Sequence, residues 1–435
     1  MVTLSGIVEL TIDAPKKIRG LILKIEGFAK VEWTETEHRH NNHNNRNGHH
    51  GSNTRTIHYS GREDYLNTIS YLIGSPEGNQ LEIAPGTYRY NFQAVLPPLL
   101  PTSFEAKHGS IRYLINVVID RPWKFDLTYK NAFTVLKQLD LNYENPALKI
   151  PTKMEIIKTF YCLFCKTAPL FMAASIPMSG YVCGQNIIVS IELNNESRIN
   201  VDDIKIALKK IIFYNSQTPT RKTKEEILNE AEVRCGAVEA GNKGKFEQKL
   251  LIPPVPPSNM NYCRILNVSY EVHVTAKVSG IHSNPVIKLP ITLGTVPLNV
   301  QMHQHQQFAV QNPTAPAFTP TAAGQYNFAE TFSDQPGTGQ QHQAMPMPSN
   351  GDYAPPSYHE AVGSAVQLNE EGEHSLGSRP FHPMYPVYDF NNSTAPQGHS
   401  RGPSFGFGST LASAPPHSSA STPGSVSNEG IVLKY

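Results

Sequence analysis

The residues Pro355-Pro356-Ser357-Tyr358 have the composition and spacing of a short peptide that another protein recognises. Two consecutive prolines hold φ at about −65° and favour a polyproline II helix, which loses little entropy on docking into an aromatic groove. WW domains read such peptides by stacking the prolines on aromatic side chains and taking the tyrosine into a neighbouring pocket. The pattern therefore predicts WW-domain binding at Pro355, Pro356 and Tyr358.

A second stretch, His382-Pro383-Met384-Tyr385, is a reduced version of the same pattern. It keeps only one of the two prolines, so it lacks one stacking contact and part of the preorganisation. We expect Pro383 and Tyr385 to form a weak auxiliary docking motif.

A basic region marks the second half of the chain before its tail. Such side chains could contact anionic lipid headgroups or acidic cargo segments, each well-placed residue contributing about 1 kcal/mol. The alternative is a solvated face without a partner. The candidate membrane or cargo contacts are Lys205, Lys209, Lys210, Arg221, Lys222 and Lys224.

Two further features have the residue types of metal or redox sites. The His/Asn-rich segment 38–58 contains six histidines but neither carboxylate nor cysteine to complete a coordination shell, so we expect a solvated loop and no metal. Cys162-Leu163-Phe164-Cys165 has redox or zinc-ligand spacing, yet no second such pair accompanies it. Two partly buried thiols are the favoured interpretation, and a redox role stays open as an alternative.

Composition narrows the classes of function. Lys and Arg total 37 against 36 Asp and Glu, so no net field favours nucleic acid. Five cysteines do not form a disulfide framework, and the first residues lack a signal peptide's pattern, which predicts a reduced, cytoplasmic protein. The most apolar stretch, 162–178, is interrupted by Lys166, Pro169 and Pro177, and no transmembrane helix is predicted. Common catalytic motifs are missing, so we expect no enzyme activity.

The elements that must carry these features are strands. Hydrophobic residues alternate with polar ones through most of residues 4–298, which predicts sheets with one buried face. The pattern also repeats: a proline-rich turn precedes a strand centred on Tyr113 and again one centred on Tyr270, 157 residues later. We predict an all-β fold of two tandem immunoglobulin-like sandwiches over 1–145 and 146–298.

Beyond Leu298 the composition changes to Gln, His, Pro, Ser, Ala and Gly, and Lys434 is the only lysine of that region. Such a segment cannot bury enough apolar area to offset about 1 to 2 kcal/mol of backbone ordering per residue. We therefore predict a disordered Pro/Gln/Ser-rich tail over 299–435, which carries the docking motif on a flexible tether.

Several segments together resemble the α-arrestin, or arrestin domain-containing, family over nearly the whole chain. They are Gly86-Thr87-Tyr88, Leu96-Pro97-Pro98, Pro101-Thr102-Ser103-Phe104-Glu105, Gly109-Ser110-Ile111-Arg112-Tyr113 and the stretch from Pro290 to Leu298. The resemblance implies arrestin N and C sandwiches, no cofactor and no nucleic acid. It also implies an adaptor that recruits WW-domain HECT-type E3 ubiquitin ligases to membrane receptors or transporters and promotes their ubiquitination, endocytosis and sorting.

Location and alternatives follow from the same resemblance. A member of this family would be cytoplasmic and peripherally associated with the plasma membrane and endosomes. The alternatives are a ligase-independent, retromer-like cargo-sorting scaffold and a thioredoxin-binding redox regulator. The chain opens at what resembles the family's second strand, which predicts an exposed sheet edge there. A single complete docking peptide predicts lower avidity than tandem motifs would give.

Overall fold

The fold is described by a computed structural model that covers residues 2–39, 53–162, 165–299, 355–361, 381–390 and 430–434. These residues form β-strands and one short 3₁₀ helix. Within the described ranges, no helix combines the length and apolar character needed to cross a bilayer. The predicted all-β fold class is confirmed.

The N lobe is a sandwich of nine strands in the part of the chain that the structure describes. Its strands are β1 (Val2–Ile12), β2 (Lys16–Ile18), β3 (Gly20–Arg39), β4 (Asn53–Gly74), β5 (Leu81–Ile83), β6 (Gly86–Leu96), β7 (Phe104–Ala106), β8 (Gly109–Asp120) and β9 (Leu127–Phe133). One sheet has the order β4-β3-β8-β7 with β9 also on β8, and β1 pairs with β6 in the other. Strands β2 and β5 form a separate short pair.

The C lobe repeats this architecture. After the 3₁₀ helix η1 (Pro146–Lys149), its strands are β10 (Thr152–Lys158), β11 (Tyr161–Cys162), β12 (Cys165–Lys166), β13 (Leu170–Ile176), β14 (Gly180–Val182), β15 (Asn186–Asn195), β16 (Val201–Asn215), β17 (Thr223–Arg234), β18 (Lys243–Leu251), β19 (Leu266–Val278) and β20 (Val286–Gly294). The two sheets have the orders β10-β13-β15-β18 and β14-β20-β19-β16-β17.

Alternation builds both cores as expected for strands with one buried face. In β3, Leu23 and Ile25 are buried, and the charged residues that alternate with them are more exposed. Gly27 is required on the same face, because a Cβ there would lie 2.6 Å from the Tyr113 ring. In β19, every second residue from Leu266 to Val278 is likewise buried.

The predicted duplication is visible in equivalent hydrogen bonds. The buried Tyr113 hydroxyl donates to the Pro101 carbonyl at 2.6 Å, and the Tyr270 hydroxyl donates to the Pro256 carbonyl at 2.7 Å. A serine two residues after each proline then accepts a hydrogen bond from the backbone of a neighbouring segment: the N–H of Val135 donates to Ser103 Oγ, and the N–H of Leu293 donates to Ser258 Oγ. The two lobes therefore share the local structure of their proline-rich turns.

The lobes contact each other directly. The Arg264 guanidinium donates to the largely buried Glu63 carboxylate at 2.8 Å, and the Ser60 N–H donates to the Thr218 carbonyl at 2.9 Å. The connector between the lobes, residues 134–145, is bonded to the C lobe: the Leu139 N–H donates to Thr295 Oγ1, and the Thr295 N–H donates to the Leu139 carbonyl.

The structure differs from the predicted disordered tail at three segments. Residues after 354 contribute β21 (Ser357–Glu360), β22 (Met384–Val387) and β23 (Gly430–Lys434). β21 pairs with β22, and β23 pairs with β1 from Ile7 to Thr11. The sheet edge predicted to be exposed at β1 is thus covered over those residues by the chain's own strand. Apart from residues 299, 355–361, 381–390 and 430–434, the tail lies outside the described residues.

Candidate functional site

The docking peptide lies on the surface of the molecule. Pro355 is exposed, Pro356 is half-buried, and 56% of Tyr358 is accessible to solvent. The motif leads directly into β21, whose backbone is paired with β22, with Tyr358 opposite Pro386. The docking peptide is therefore held by backbone pairing with β22, and the tether predicted before it, residues 300–354, lies outside the described residues.

The ladder between β21 and β22 brings Tyr358 against Pro386. The N–H of Ala361 donates to the Pro383 carbonyl at 2.9 Å, which makes Ala361 and Pro383 a hydrogen-bonded pair. Because such pairs alternate in an antiparallel ladder, Tyr358 and Pro386 form the narrow, non-hydrogen-bonded kind, in which side chains approach most closely. Pro386 consequently loses no ladder hydrogen bond through its missing N–H.

β22 belongs to a segment that is anchored in the body, residues 381–390, here called the strap. The hydroxyl of Tyr385 is buried and donates to the Ser103 carbonyl of the N lobe at 3.0 Å. The hydroxyl of Tyr388 donates to the Thr295 carbonyl at 2.8 Å, and its N–H donates to the Cys183 carbonyl at 3.0 Å. The strap is therefore hydrogen-bonded to both lobes.

The body is shaped to receive the strap at Gly184. This glycine has φ +87, in the left-handed region that favours glycine, and a Cβ there would lie 2.1 Å from the Tyr388 carbonyl oxygen.

Burial raises the pKa of Tyr385 and of the neighbouring Tyr270, and Glu105 adds to the rise at Tyr385. Both hydroxyls thus stay protonated and serve as hydrogen-bond donors.

The same geometry places the auxiliary motif in the interior. Pro383 is buried, and Tyr385 is only 1% exposed. A WW domain could reach this tyrosine only if the strap left the body. Pro383 and Tyr385 act in this structure as packing residues of the strap.

The six basic candidates do not share one free surface. Lys210 is buried and lies 2.7 Å from Glu230, whose side chain is 7% exposed, while Lys205 is paired with Glu232 and Lys222 with Glu35. Lys209 and Lys224 are half-buried, and Arg221 is exposed. Together with Arg264, the residues Arg221 and Lys222 line a polar cavity of about 430 Å³ that also contains Glu63.

The described residues do not complete a metal-binding ligand set at the His/Asn-rich segment or at the Cys162–Cys165 pair. His40, His43, His49 and His50 lie outside the described residues, the side chain of His38 is not described, and His58 is exposed. Among the residues that the structure does describe, no cluster of three or more His, Cys, Asp or Glu side chains could hold a metal.

Three cysteines have side chains in the described part of the chain, and all three are protected thiols. Burial raises the pKa of Cys183 and Cys235 to about 11 each, and it also raises the pKa of Cys263. A thiol needs its thiolate form to react, so these three are poor nucleophiles near neutral pH. Cys162 and Cys165 are backbone partners between β11 and β12, and their side chains are not described.

Sequence reasoning missed an exposed aromatic loop between β8 and β9, here called the apex loop, residues 121–126. Trp123 is 101% exposed and has φ +62, an uncommon backbone conformation for a bulky residue, and Phe125 is 76% exposed. The Arg121 guanidinium donates to the Phe125 carbonyl at 2.8 Å, and the Arg121 N–H donates to Asp126 Oδ1 at 3.2 Å. The short sequence Pro122-Trp123-Lys124-Phe125 contained the signal, namely aromatics that belong to no alternating strand pattern.

Comparison with known proteins decides the family. Residues 3–142 match the family model of the arrestin (or S-antigen) N-terminal domain, and residues 166–298 match that of the C-terminal domain. The chain belongs to the arrestin domain-containing, or α-arrestin, family. Both matches fall on the lobes described above, so the body of this α-arrestin is its pair of arrestin sandwiches.

Several relatives agree with this assignment. Arrestin domain-containing protein 4 from Homo sapiens is 28% identical over 303 residues, which cover 68% of each chain. Arrestin domain-containing protein 17 from Caenorhabditis elegans is 27% identical over 430 residues, which cover 88% of this chain and 94% of the relative. Arrestin domain-containing protein 1 from Rattus norvegicus is 26% identical over 239 residues, or 54% of this chain and 52% of the relative. This α-arrestin is therefore a member of an adaptor family rather than of an enzyme family.

Proposed function

We propose that this α-arrestin recruits WW-domain HECT-type ubiquitin ligases to membrane receptors or transporters, and so promotes their ubiquitination, endocytosis and sorting. The observation that carries the proposal is the position of Pro355-Pro356-Ser357-Tyr358 on the surface, with Tyr358 56% exposed. A diproline followed by an accessible tyrosine supplies the two features that a WW groove reads. The protein would act by raising the local concentration of ligase beside its cargo, without catalysis of its own.

The deciding experiment is a ligase pull-down with the Tyr358→Ala variant. Tyr358 lies outside both lobes' cores, so the variant should fold normally and yet lose the tyrosine that fills the WW pocket. We expect ligase recovery to fall to background, whereas the matched control Tyr143→Ala, which changes a tyrosine that is 90% exposed in the connector, should recover wild-type amounts. Wild-type recovery with Tyr358→Ala would refute the proposal.

We further propose that the body works peripherally at the plasma membrane and endosomes, with the apex loop as a membrane contact. Trp123 and Phe125 project their rings into solvent, and Lys124 stands between them. Tryptophan favours the boundary between headgroups and acyl chains because its ring is apolar and its N–H is polar. Arg221, Lys222 and Lys224 remain candidate contacts for acidic cargo or headgroups near the cavity between the lobes.

The thioredoxin-binding and retromer-like alternatives gain no supporting observation from the described residues. The three thiols whose side chains are described have raised pKa values, which disfavours thiol exchange at those positions. A ligase-independent scaffold would be indifferent to Tyr358, so the pull-down separates it from the proposed adaptor.

A further inference from the structure

The docking tyrosine is already partly engaged by the protein itself. Tyr358 lies in the narrow pair opposite Pro386, which is buried, and burial together with the electrostatic effect of Tyr358 raises the pKa of Tyr388 in the strap. Nearly half of the Tyr358 surface is covered in this arrangement. An aromatic ring beside proline is the same contact chemistry that a WW domain uses.

Two partners cannot use this tyrosine at once. A WW pocket must surround the ring, including the side that now faces Pro386, and it needs the Ser357 backbone in a polyproline II conformation rather than in a β-ladder. We propose that the strap and the WW domain compete for the docking peptide, so that a seated strap lowers the affinity of the whole protein for its ligase. This inference rests on the proposed function and adds a mechanism that regulates ligase binding.

The anchoring contacts explain why the strap stays bound to the body. Tyr385 is buried between the lobes, Tyr388 bonds to the C lobe through its hydroxyl and its N–H, and the N–H of Met384 donates to Thr134 Oγ1 at 3.2 Å. A ligand whose binding-competent state is only fractionally populated binds more weakly by that fraction. If the strap is seated in about nine of ten molecules, WW affinity falls about tenfold relative to the free peptide.

Coupling of this kind is reciprocal, so a bound WW domain must also loosen the strap. The strap would then expose Pro383 and Tyr385, the reduced second motif, which is inaccessible while seated. Binding of a WW domain at Tyr358 would thus make the auxiliary motif accessible.

The test compares the affinity of one recombinant WW domain for a synthetic peptide of residues 352–363, for the full chain and for two full-chain variants, by calorimetry. Tyr385→Ala removes the strap's anchor from the tail side. Gly184→Ala acts from the body side with the tail intact, because its Cβ would collide with the Tyr388 carbonyl. The matched control is Gly241→Ala, which has a similar φ of +79 but no neighbour within 4 Å of the added Cβ.

We expect the full chain to bind about tenfold or more weakly than the peptide, and both Tyr385→Ala and Gly184→Ala to close the gap, while Gly241→Ala stays at the full-chain value. Hydrogen exchange adds a second readout: the WW domain should speed exchange at the N–H groups of Tyr388 and Ala361, which are bonded in the seated strap. Equal affinity of peptide and full chain, or unchanged exchange in the bound state, would overturn the competition. A peptide that does not bind at all would instead refute the proposed ligase docking.

Discussion

Tyr113 and Tyr270 show how one residue type secures a proline-rich turn in each lobe. Both side chains are buried, and each hydroxyl donates to a turn carbonyl, that of Pro101 or that of Pro256. Removal of such a hydroxyl leaves a buried carbonyl without its donor, which costs about 1 to 3 kcal/mol. We therefore predict that Tyr113→Phe and Tyr270→Phe each lower the free energy of unfolding by about that amount, as measured by urea denaturation.

The control for this prediction is Tyr143→Phe, which removes a hydroxyl from a side chain that is 90% exposed. Its effect should stay within about 0.5 kcal/mol, as is usual for surface substitutions. A cost at one of the two buried tyrosines and none at the other would show that the lobes do not depend on this bond equally.

At the scale of elements, the alternation of apolar and polar residues made the strands predictable. Contacts between segments that are far apart in the chain could not be predicted in this way. β3, β8 and β19 each have one apolar face, so their sequence alone indicates a half-buried strand. In the strap, the alternation of buried Phe381, Pro383 and Tyr385 is too short to identify a strand, and its decisive hydrogen bond joins Tyr385 to Ser103, 282 residues away in the chain. A local pattern cannot encode a contact at that separation, which is why the motifs were found and their seating was not.

The composition of the tail does not reveal its three described strands, for a related reason. Its average hydrophobicity is too low for a core of its own, yet short pieces of it need only fit surfaces that the lobes already provide. β23 completes this picture, since its backbone pairs with β1 over five residues at an edge predicted to be free.

The apex loop leads to a prediction about membrane binding. The chain contains two tryptophans, Trp33 at 3% exposure and Trp123 at 101%, so a fluorescence change on lipid binding reports mainly on Trp123. Burial of a large aromatic side chain contributes about 1.5 to 3 kcal/mol, so Trp123→Ser should weaken vesicle binding about 10- to 100-fold. We expect a blue shift with vesicles of phosphatidylcholine and phosphatidylserine, and its loss in the variant.

Cosedimentation of the same vesicles provides the control measurement. Tyr143→Ser, which removes an exposed aromatic from the connector, should leave the bound fraction unchanged. Vesicles of phosphatidylcholine alone separate ring insertion from attraction of the basic residues to anionic lipid. Equal binding by wild type and Trp123→Ser would exclude the loop as the contact.

Considered as a whole, the molecule is two lobes with a peptide from its own tail seated between them. The lobes also contact each other without the strap, through Glu63 and Arg264 and through Ser60 and Thr218. Departure of the strap therefore need not separate the lobes, and the strap behaves as a tethered ligand of a body that is otherwise complete.

Because the strap can leave the body whereas β19 cannot, substitutions of two neighbouring buried tyrosines should lower the free energy of unfolding by different amounts. Tyr270 belongs to β19 and is buried, so Tyr270→Ala leaves a cavity in the C lobe and should lower the free energy of unfolding by about 3 to 5 kcal/mol. Tyr385→Ala can cost no more than the free energy of seating the strap, because the strap can leave instead of tolerating the cavity. An equilibrium of about tenfold to a hundredfold in favour of seating corresponds to about 1.4 to 2.8 kcal/mol. Urea denaturation of both variants measures the difference, and an equal loss from the two substitutions would mean that the strap is part of the core and cannot yield to a ligase.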